Sequence, residues 1–243
     1  MKISIRKTVE IENLEQWFHS APPEGGLKQW KVGRSALEMA RFALSKEFPE
    51  MIKQVLVECG LKEEDFICEP EALTSFEKDM GKGGARHHDL LMVGNDTIIG
   101  IEAKVSESFD KKIKDKRKDA KENMSLRLNS CLNYLYENKP EKADELYYQL
   151  ISATIGSIIE ANRQEKKKKN VVSLFIVFEG NIDAEKDYND HVIENDKAFK
   201  EFCNTFSLDE TGGKLPPIPG APDVDCWIKK VKVNIGNYFF KEA

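Results

Sequence analysis

The chain has no long hydrophobic stretch. Its longest apolar run is the eight residues Val171–Phe178, VVSLFIVF, far short of the roughly 20 needed to cross a bilayer. The opening residues MKISIRKTVEIENLEQ hold no apolar core of signal-peptide length. No membrane association is expected, and a cytoplasmic protein is. Cysteine is sparse and unpatterned: Cys59, Cys68, Cys131, Cys203 and Cys226 are odd in number and never spaced C-x-x-C. That argues against a disulfide framework or a zinc site and for reduced thiols. Motifs that announce a chemistry are also missing. GKGG at Gly81–Gly84 lacks the G-x-x-x-x-G-K-[ST] arrangement of a P-loop, TGGKLPP fails the same test, and no G-x-S-x-G elbow presents a serine. No helix-turn-helix, zinc finger, internal repeat or low-complexity linker stands out.

What is present suits one globular domain: 243 residues, 40% hydrophobic, 33% charged, with a net charge of −5. The negative sum does not exclude nucleic acid, because local charge distribution matters more than the total. A single domain over residues 1–243 is expected, with 1–65 a mainly helical lead-in and 66–243 a core sheet with flanking helices. The apolar stripe of RSALEMARFALSK predicts a helix from about Arg34 to Lys46. A second should start around Pro49, which suits a first turn, and end at Gly60. Strands are expected at Ala72–Phe76, His87–Val93, Thr97–Val105 and Cys226–Ile235. The continuous apolar run Val171–Phe178 reads as a central strand covered on both faces. Glu141–Gln164 and His191–Phe206 read as helices; Gly81–Arg86 and TGGKLPPIPGAPD read as loops. The fold class is therefore α/β, a mixed central sheet flanked by helices.

One stretch needs a chemical explanation. In HHDLLMVGNDTIIGIEAKV, His87 to Val105, two apolar strands contain Asp89, Glu102 and Lys104. Asn95-Asp96 suits a two-residue turn, since both residues tolerate positive φ. Centring the hairpin there puts Asp89 opposite Glu102, with Lys104 on the same face. Two carboxylates at ~5 Å and an effective dielectric of ~20 repel by roughly 3 kcal/mol, so cross-strand like charges destabilise. A divalent cation would offset this. Mg²⁺ suits hard oxygen ligands and shares itself with phosphates, and Mn²⁺ should substitute. A lysine beside it can position or activate water.

Asp89, twelve intervening residues, then Glu102-Ala103-Lys104 on an apolar strand resembles the D…E-x-K signature of the PD-(D/E)XK nuclease superfamily. E-x-K also occurs at Glu137 and Glu165, but only Glu102 lies on an expected strand opposite an aspartate. The resemblance covers residues 34–178 and implies a restriction-endonuclease-like fold. It implies a Mg²⁺-dependent deoxyribonuclease leaving 5′-phosphate and 3′-hydroxyl ends, with a bacterial restriction or defence role and a homodimer that cuts both strands. By the same resemblance Asp89 and Glu102 are metal ligands and Lys104 is catalytic. Glu38, on the helix before the sheet, stands where the family adds an acidic residue to the metal site. Gln149, on the helix after the E-x-K strand, resembles a glutamine of the exonuclease-like branches. The Q-x-x-x-Y form is absent, since Ala153 stands where tyrosine would. The leading aspartate follows His88 rather than proline.

Each of these residues also has a plainer reading: Asp89 and Glu102 rim residues with Lys104 neutralising one of them in a surface pair worth little, Glu38 a solvated carboxylate, Gln149 a polar residue of an amphipathic helix, both histidines structural. Of the histidines, alternation puts His87 on the face of Asp89. Lys82, Arg86 and His87, flanking the site, and Lys111 and Lys112, opening the tract KKIKDKRKDAK, are candidate phosphate contacts. Interleaved aspartates make a solvated helix face the alternative for that tract. KKKK at Lys166–Lys169 suits a solubilised helix end. DNA is the expected partner, with RNA open. A nucleic-acid-binding or assembly protein without cleavage is the competing function, since a fold does not dictate an activity.

Overall fold

The computed structural model describes residues 1–5, 8–76, 80, 84–105, 107–118, 120, 122–180 and 188–237. In chain order the elements are β1 (Lys2–Ile5), β2 (Val9–Glu10), α1 (Leu14–Ser20), α2 (Ser35–Ala43), α3 (Glu47–Glu58), β3 (Ile67–Thr74), β4 (Arg86–Val93) and β5 (Thr97–Lys104). There follow α4 (Ile113–Lys118), α5 (Glu122–Leu135), α6 (Tyr148–Arg163), β6 (Asn170–Glu179), α7 (Tyr188–Asn204), β7 (Gly212–Lys214) and β8 (Asp225–Asn234). The eight strands form one mixed sheet in the order β2-β1-β3-β4-β5-β6-β8-β7. The β3–β4–β5 meander is antiparallel, and β5, β6 and β8 run parallel. The α/β class with a mixed central sheet between helices holds. No helix among the described residues is long and apolar enough to cross a membrane.

Strand alternation divides the interior into two layers. Ile99, Ile101 and Ala103 of β5 pack with Val172 and Leu174 of β6 against α2 and α3. Ile98, Val171 and Phe175 face the other way, into a layer built from α5, α6 and α7. β6 is buried from Val171 to Phe178, as a central parallel strand must be. α6 is buried almost throughout despite carrying Ser157 and Thr154. Both hydroxyls donate back to their own helix, to the Ala153 and Leu150 carbonyls at 2.9 Å, and so enter the core satisfied. All five cysteines are buried free thiols.

The sequence expectations need five corrections. Residues 1–65 are not only a helical lead-in, because β1 joins the sheet parallel to β3, pairing Ile3 with Cys68. Four residues show too little alternation to announce a strand; β3 defines it. β3 itself covers Ile67–Thr74 rather than 72–76, its pattern masked by Pro70 and two glutamates in ICEPEALT. The long helix starts at Tyr148 rather than Glu141, since Tyr147 is extended and bridges Lys112. The hairpin turn lies where expected, Gly94 N–H bonding the Thr97 carbonyl at 2.9 Å, but Asn95 and Asp96 do not use positive φ. Glu64 clamps it instead, its carboxylate accepting the Asn95 and Asp96 N–H groups at 2.5 and 3.0 Å. The TGGKLPPIPGAPD loop also contains β7, where Gly212 has φ +90° and a Cβ would lie 2.0 Å from the Ile228 carbonyl oxygen. Only glycine fits there.

Gly100 sets the distance between β5 and α6. A Cβ at this position would lie 2.0 Å from Ser157 Oγ and 3.1 Å from its Cβ and from His88 Nδ1. Gly100→Ala is expected to destabilise the protein by about 1–3 kcal/mol through overpacking. Adding Ser157→Ala should recover most of that, because the two sites couple through one contact. Urea titration of the single and double variants checks this.

Candidate active site

The meander delivers the charged residues to one place. β4 and β5 pair Leu90 with Ile101 and Val93 with Ile98, the register that sets Asp89 opposite Glu102. The ladder stops at Leu90–Ile101. Beyond it the Asp89 carboxylate takes the next strand donor, the Ala103 N–H, at 2.6 Å. The side chain replaces a backbone acceptor, so the strands part and open a cleft at their ends.

Glu102 lies at the centre, 3% exposed. Its Oε1 accepts from Lys104 Nζ and from Gln149 Nε2, each at 2.5 Å. Its Oε2 accepts from Arg86. Gln149 arrives because a crossover helix between parallel strands starts at the end where the first strand finishes. The first turn of α6 thus meets the end of β5, and Gln149 Oε1 also takes the Asp110 N–H at 3.1 Å. A cavity of about 680 Å³ opens over these groups, with Glu71, Arg86, His87, Asp89, Glu102 and Lys104 in its wall.

Glu71 is the residue the sequence reading missed. The register pairing Pro70 with Leu90 and Ala72 with His88 sets Glu71 opposite Asp89, and its φ of 50° is unusual for a residue with a side chain. Burial, reinforced by Asp89 and then Glu102, pushes its carboxyl up to about 8. Burial and then Glu102 push Asp89 up to about 7. Burial works against Glu102 as well, yet Arg86 and Lys104 hold its carboxyl below the usual range. Lys104 is raised, its burial outweighed by Glu102 and Asp89. Three carboxylates, Glu71, Asp89 and Glu102, thus face two cations, Arg86 and Lys104. The excess negative charge appears as protons retained near neutrality.

That donor chemistry fits a hard divalent cation, which neutralises clustered carboxylates better than protons do. Among the described residues no three His, Cys, Asp or Glu side chains are already gathered around one point as an ion-holding group, and Arg86 is the counter-charge on Glu102 Oε2.

The other expected residues fall into place as follows. Glu38 is fully buried but does not line the cavity. Its Oε1 accepts from the Gly33 N–H at 3.0 Å and pairs with Arg41 at 3.3 Å. Ser35 and Ala36 at the start of α2 line the cavity, while Met39, Ala40, Phe42 and Ala43 pack into the layer under the opposite face of the sheet. His87 lines the cavity. His88 is buried, 2.9 Å from the Thr74 hydroxyl, and so is structural. Lys82 lies outside the described residues. Lys111 and Lys112 do not reach the central cavity but line a neighbouring one of about 440 Å³. Lys112 pairs with Glu145 at 3.3 Å, Lys114 with Glu145 at 2.8 Å, Lys116 with Asp110 at 2.6 Å, and Arg117 with Asp144 at 3.2 Å. The basic tract is largely neutralised by its own neighbours. Lys168 Nζ donates to the Asn95 carbonyl at 2.7 Å, so the lysine run ties the helix end to the hairpin turn.

A family model matches residues 10–234, from the end of β2 to the end of β8. The chain belongs to the family described as domain of unknown function, DUF6946. The DUF6946 match contains every residue of the cavity described above. No curated protein and no solved structure matches the chain.

Proposed function

We propose that this DUF6946 chain is a divalent-metal-dependent nuclease of the PD-(D/E)XK type acting on DNA phosphodiesters. The observation that carries the reading is the convergence of Asp89, Glu102 and Lys104 on one cavity. An α6 glutamine on Glu102 is in keeping with it. Asp89 and Glu102 would hold the metal, with Glu71 beside them. When bound, the metal supplies Lewis-acid stabilisation of charge on a phosphate oxygen and lowers the pKa of attacking water.

The chain's own groups have distinct tasks. Lys104, ionised and desolvated, orients the water and stabilises developing negative charge, which is worth most in a water-poor site. Gln149 fixes the rotamer of Glu102 while holding the Asp110 backbone. Arg86 shares Glu102 and lines the cavity. It is the guanidinium that turns to a phosphate oxygen when Glu102 takes another partner, and its planar fork suits that geometry.

The test is a cleavage panel of supercoiled, linear, single-stranded and branched DNA, with RNA, in Mg²⁺, Mn²⁺ or EDTA. Wild type is expected to cut DNA only with metal, and Lys104→Ala to lower the rate by about 10²–10³-fold. No cutting, together with no Mn²⁺ binding by calorimetry, would sink the reading and leave a nucleic-acid-binding protein on this fold.

A further inference from the structure

Arg127 is a buried charge with no paired carboxylate among the described residues. α5 places it in its own apolar stripe, beside Leu128 and four residues before Cys131, and it is 4% exposed. Its guanidinium lies 4.7 Å from the centre of the Phe76 ring. Its Nε donates to the Tyr148 hydroxyl at 3.1 Å. Nη1 is buried without a hydrogen-bond partner, and no carboxylate among the described residues pairs with it. Burying an ionised group unpaired is strongly unfavourable, and arginine cannot escape by losing its proton. Arg127 nonetheless lines the same cavity as Glu102 and Lys104. Successive residues at the start of α6 divide that cavity. Gln149 bonds Glu102, and Tyr148 bonds Arg127.

We propose that Arg127, with Tyr148, forms a phosphate-binding subsite. It takes a substrate phosphate other than the one attacked over Glu102. The identity of that phosphate rests on the nuclease reading; the anion subsite itself rests on the unpaired guanidinium. A planar fork with a free Nη1 recognises a tetrahedral oxyanion well. The Tyr148 hydroxyl, which accepts from Nε, fixes the plane of the guanidinium for that ligand. The cavity would then hold two phosphates of one strand, fixing which bond lies over the carboxylates.

The full chain is tested in EDTA against inorganic phosphate and, separately, a ten-nucleotide single-stranded DNA. Phosphate at roughly ten times its Kd is expected to raise Tm by about 2–4 °C in wild type and in Glu102→Gln. It should leave Arg127→Met unmoved. Without phosphate, Arg127→Met should melt at or above wild type, because a charge without a partner has been replaced by a side chain of similar volume. Arg127→Lys keeps the charge without the fork and should retain a smaller phosphate shift. The oligonucleotide should bind about 10–100-fold more weakly to Arg127→Met, and in cleavage KM should rise by that factor with kcat changed only a few-fold. An unchanged phosphate shift in Arg127→Met overturns the subsite, as does a melting point well below wild type with no phosphate response in either protein. The two readings separate cleanly. Arg127-dependent phosphate binding in a chain that cuts nothing keeps the subsite and removes the nuclease. Metal-dependent cutting with an unaltered KM in Arg127→Met does the reverse.

Discussion

Glu102→Gln is expected to lower metal-dependent cleavage by at least about 10³-fold while the protein stays folded. Three donors meet on this carboxylate: Lys104 and Gln149 at 2.5 Å, and Arg86. The side chain is therefore both the proposed ligand and the counter-charge for two buried cations. Removing it altogether exposes the second role. Glu102→Ala strands Arg86 and Lys104, and breaking a buried pair from one side costs roughly 3–5 kcal/mol. Set against a total stability of about 5–15 kcal/mol, that is enough to unfold part of the population. An inactive alanine variant alone would thus say little about chemistry. The glutamine keeps the volume and one acceptor oxygen, enough for Lys104 or for Arg86 but not for both, and loses the charge a metal needs. Cleavage rates beside urea melts of both variants separate the effects. Activity within tenfold of wild type in a folded Glu102→Gln protein would remove Glu102 from the chemistry.

The hairpin was readable because three constraints coincided: a turn dipeptide, two apolar strands and one face with misplaced charges. Asp89 and Glu102 then followed from the period of a strand alone. Gln149 was singled out only through the family resemblance, and the helix that carries it begins one residue before it. Glu71 was hidden because its approach depends on φ 50°, a backbone state that nothing in ICEPEALT announces. Glu107 was hidden for a similar reason. It reaches the cavity from a loop, with Oε1 on the Ser35 N–H at 3.3 Å. Arg127 left a trace, a cation inside the stripe formed with Leu128, Cys131 and Leu135, visible only once α5 was delimited. Glu38 sits on a helix whose first residues line the cavity, but its carboxylate is taken up by the Gly33 N–H and Arg41, partners that one sequence does not announce. Arg86 lines the cavity and neutralises Glu102, a partnership that sequence separation conceals.

The metal-free protein is expected to lose stability as pH rises from about 6.5 to 8.5, by roughly 1–3 kcal/mol. Glu71 and Asp89 hold their protons in the folded state up to about 8 and about 7, far above ordinary unfolded carboxyls. Their protonation favours folding fully below about pH 4, and that contribution is lost as pH climbs through the folded values. His88 acts in the opposite sense. Burial, then Arg86, lowers it to about 3, so its contribution is present above about pH 6.5 and lost as pH falls. Above about pH 6.5 the histidine is neutral in both states. The carboxyls set the slope up to about pH 8, where the five buried cysteines, all raised by burial, begin to add to it in the same sense. Glu71 feels Asp89, Glu102 and Glu24 against the single cation Arg86, so its ionisation has little to relieve it within the chain. Glu71→Gln should therefore flatten the slope and raise stability at pH 8. A divalent cation should do likewise without a mutation, stabilising wild type more at pH 8 than at pH 6 and Glu71→Gln less than wild type. Urea titrations of both proteins across this range, with EDTA or Mg²⁺, make the comparison. Parallel pH profiles for wild type and Glu71→Gln would mean that Glu71 is already ionised and compensated. The three carboxylates would then lack the surplus charge that makes this cavity a place for a metal.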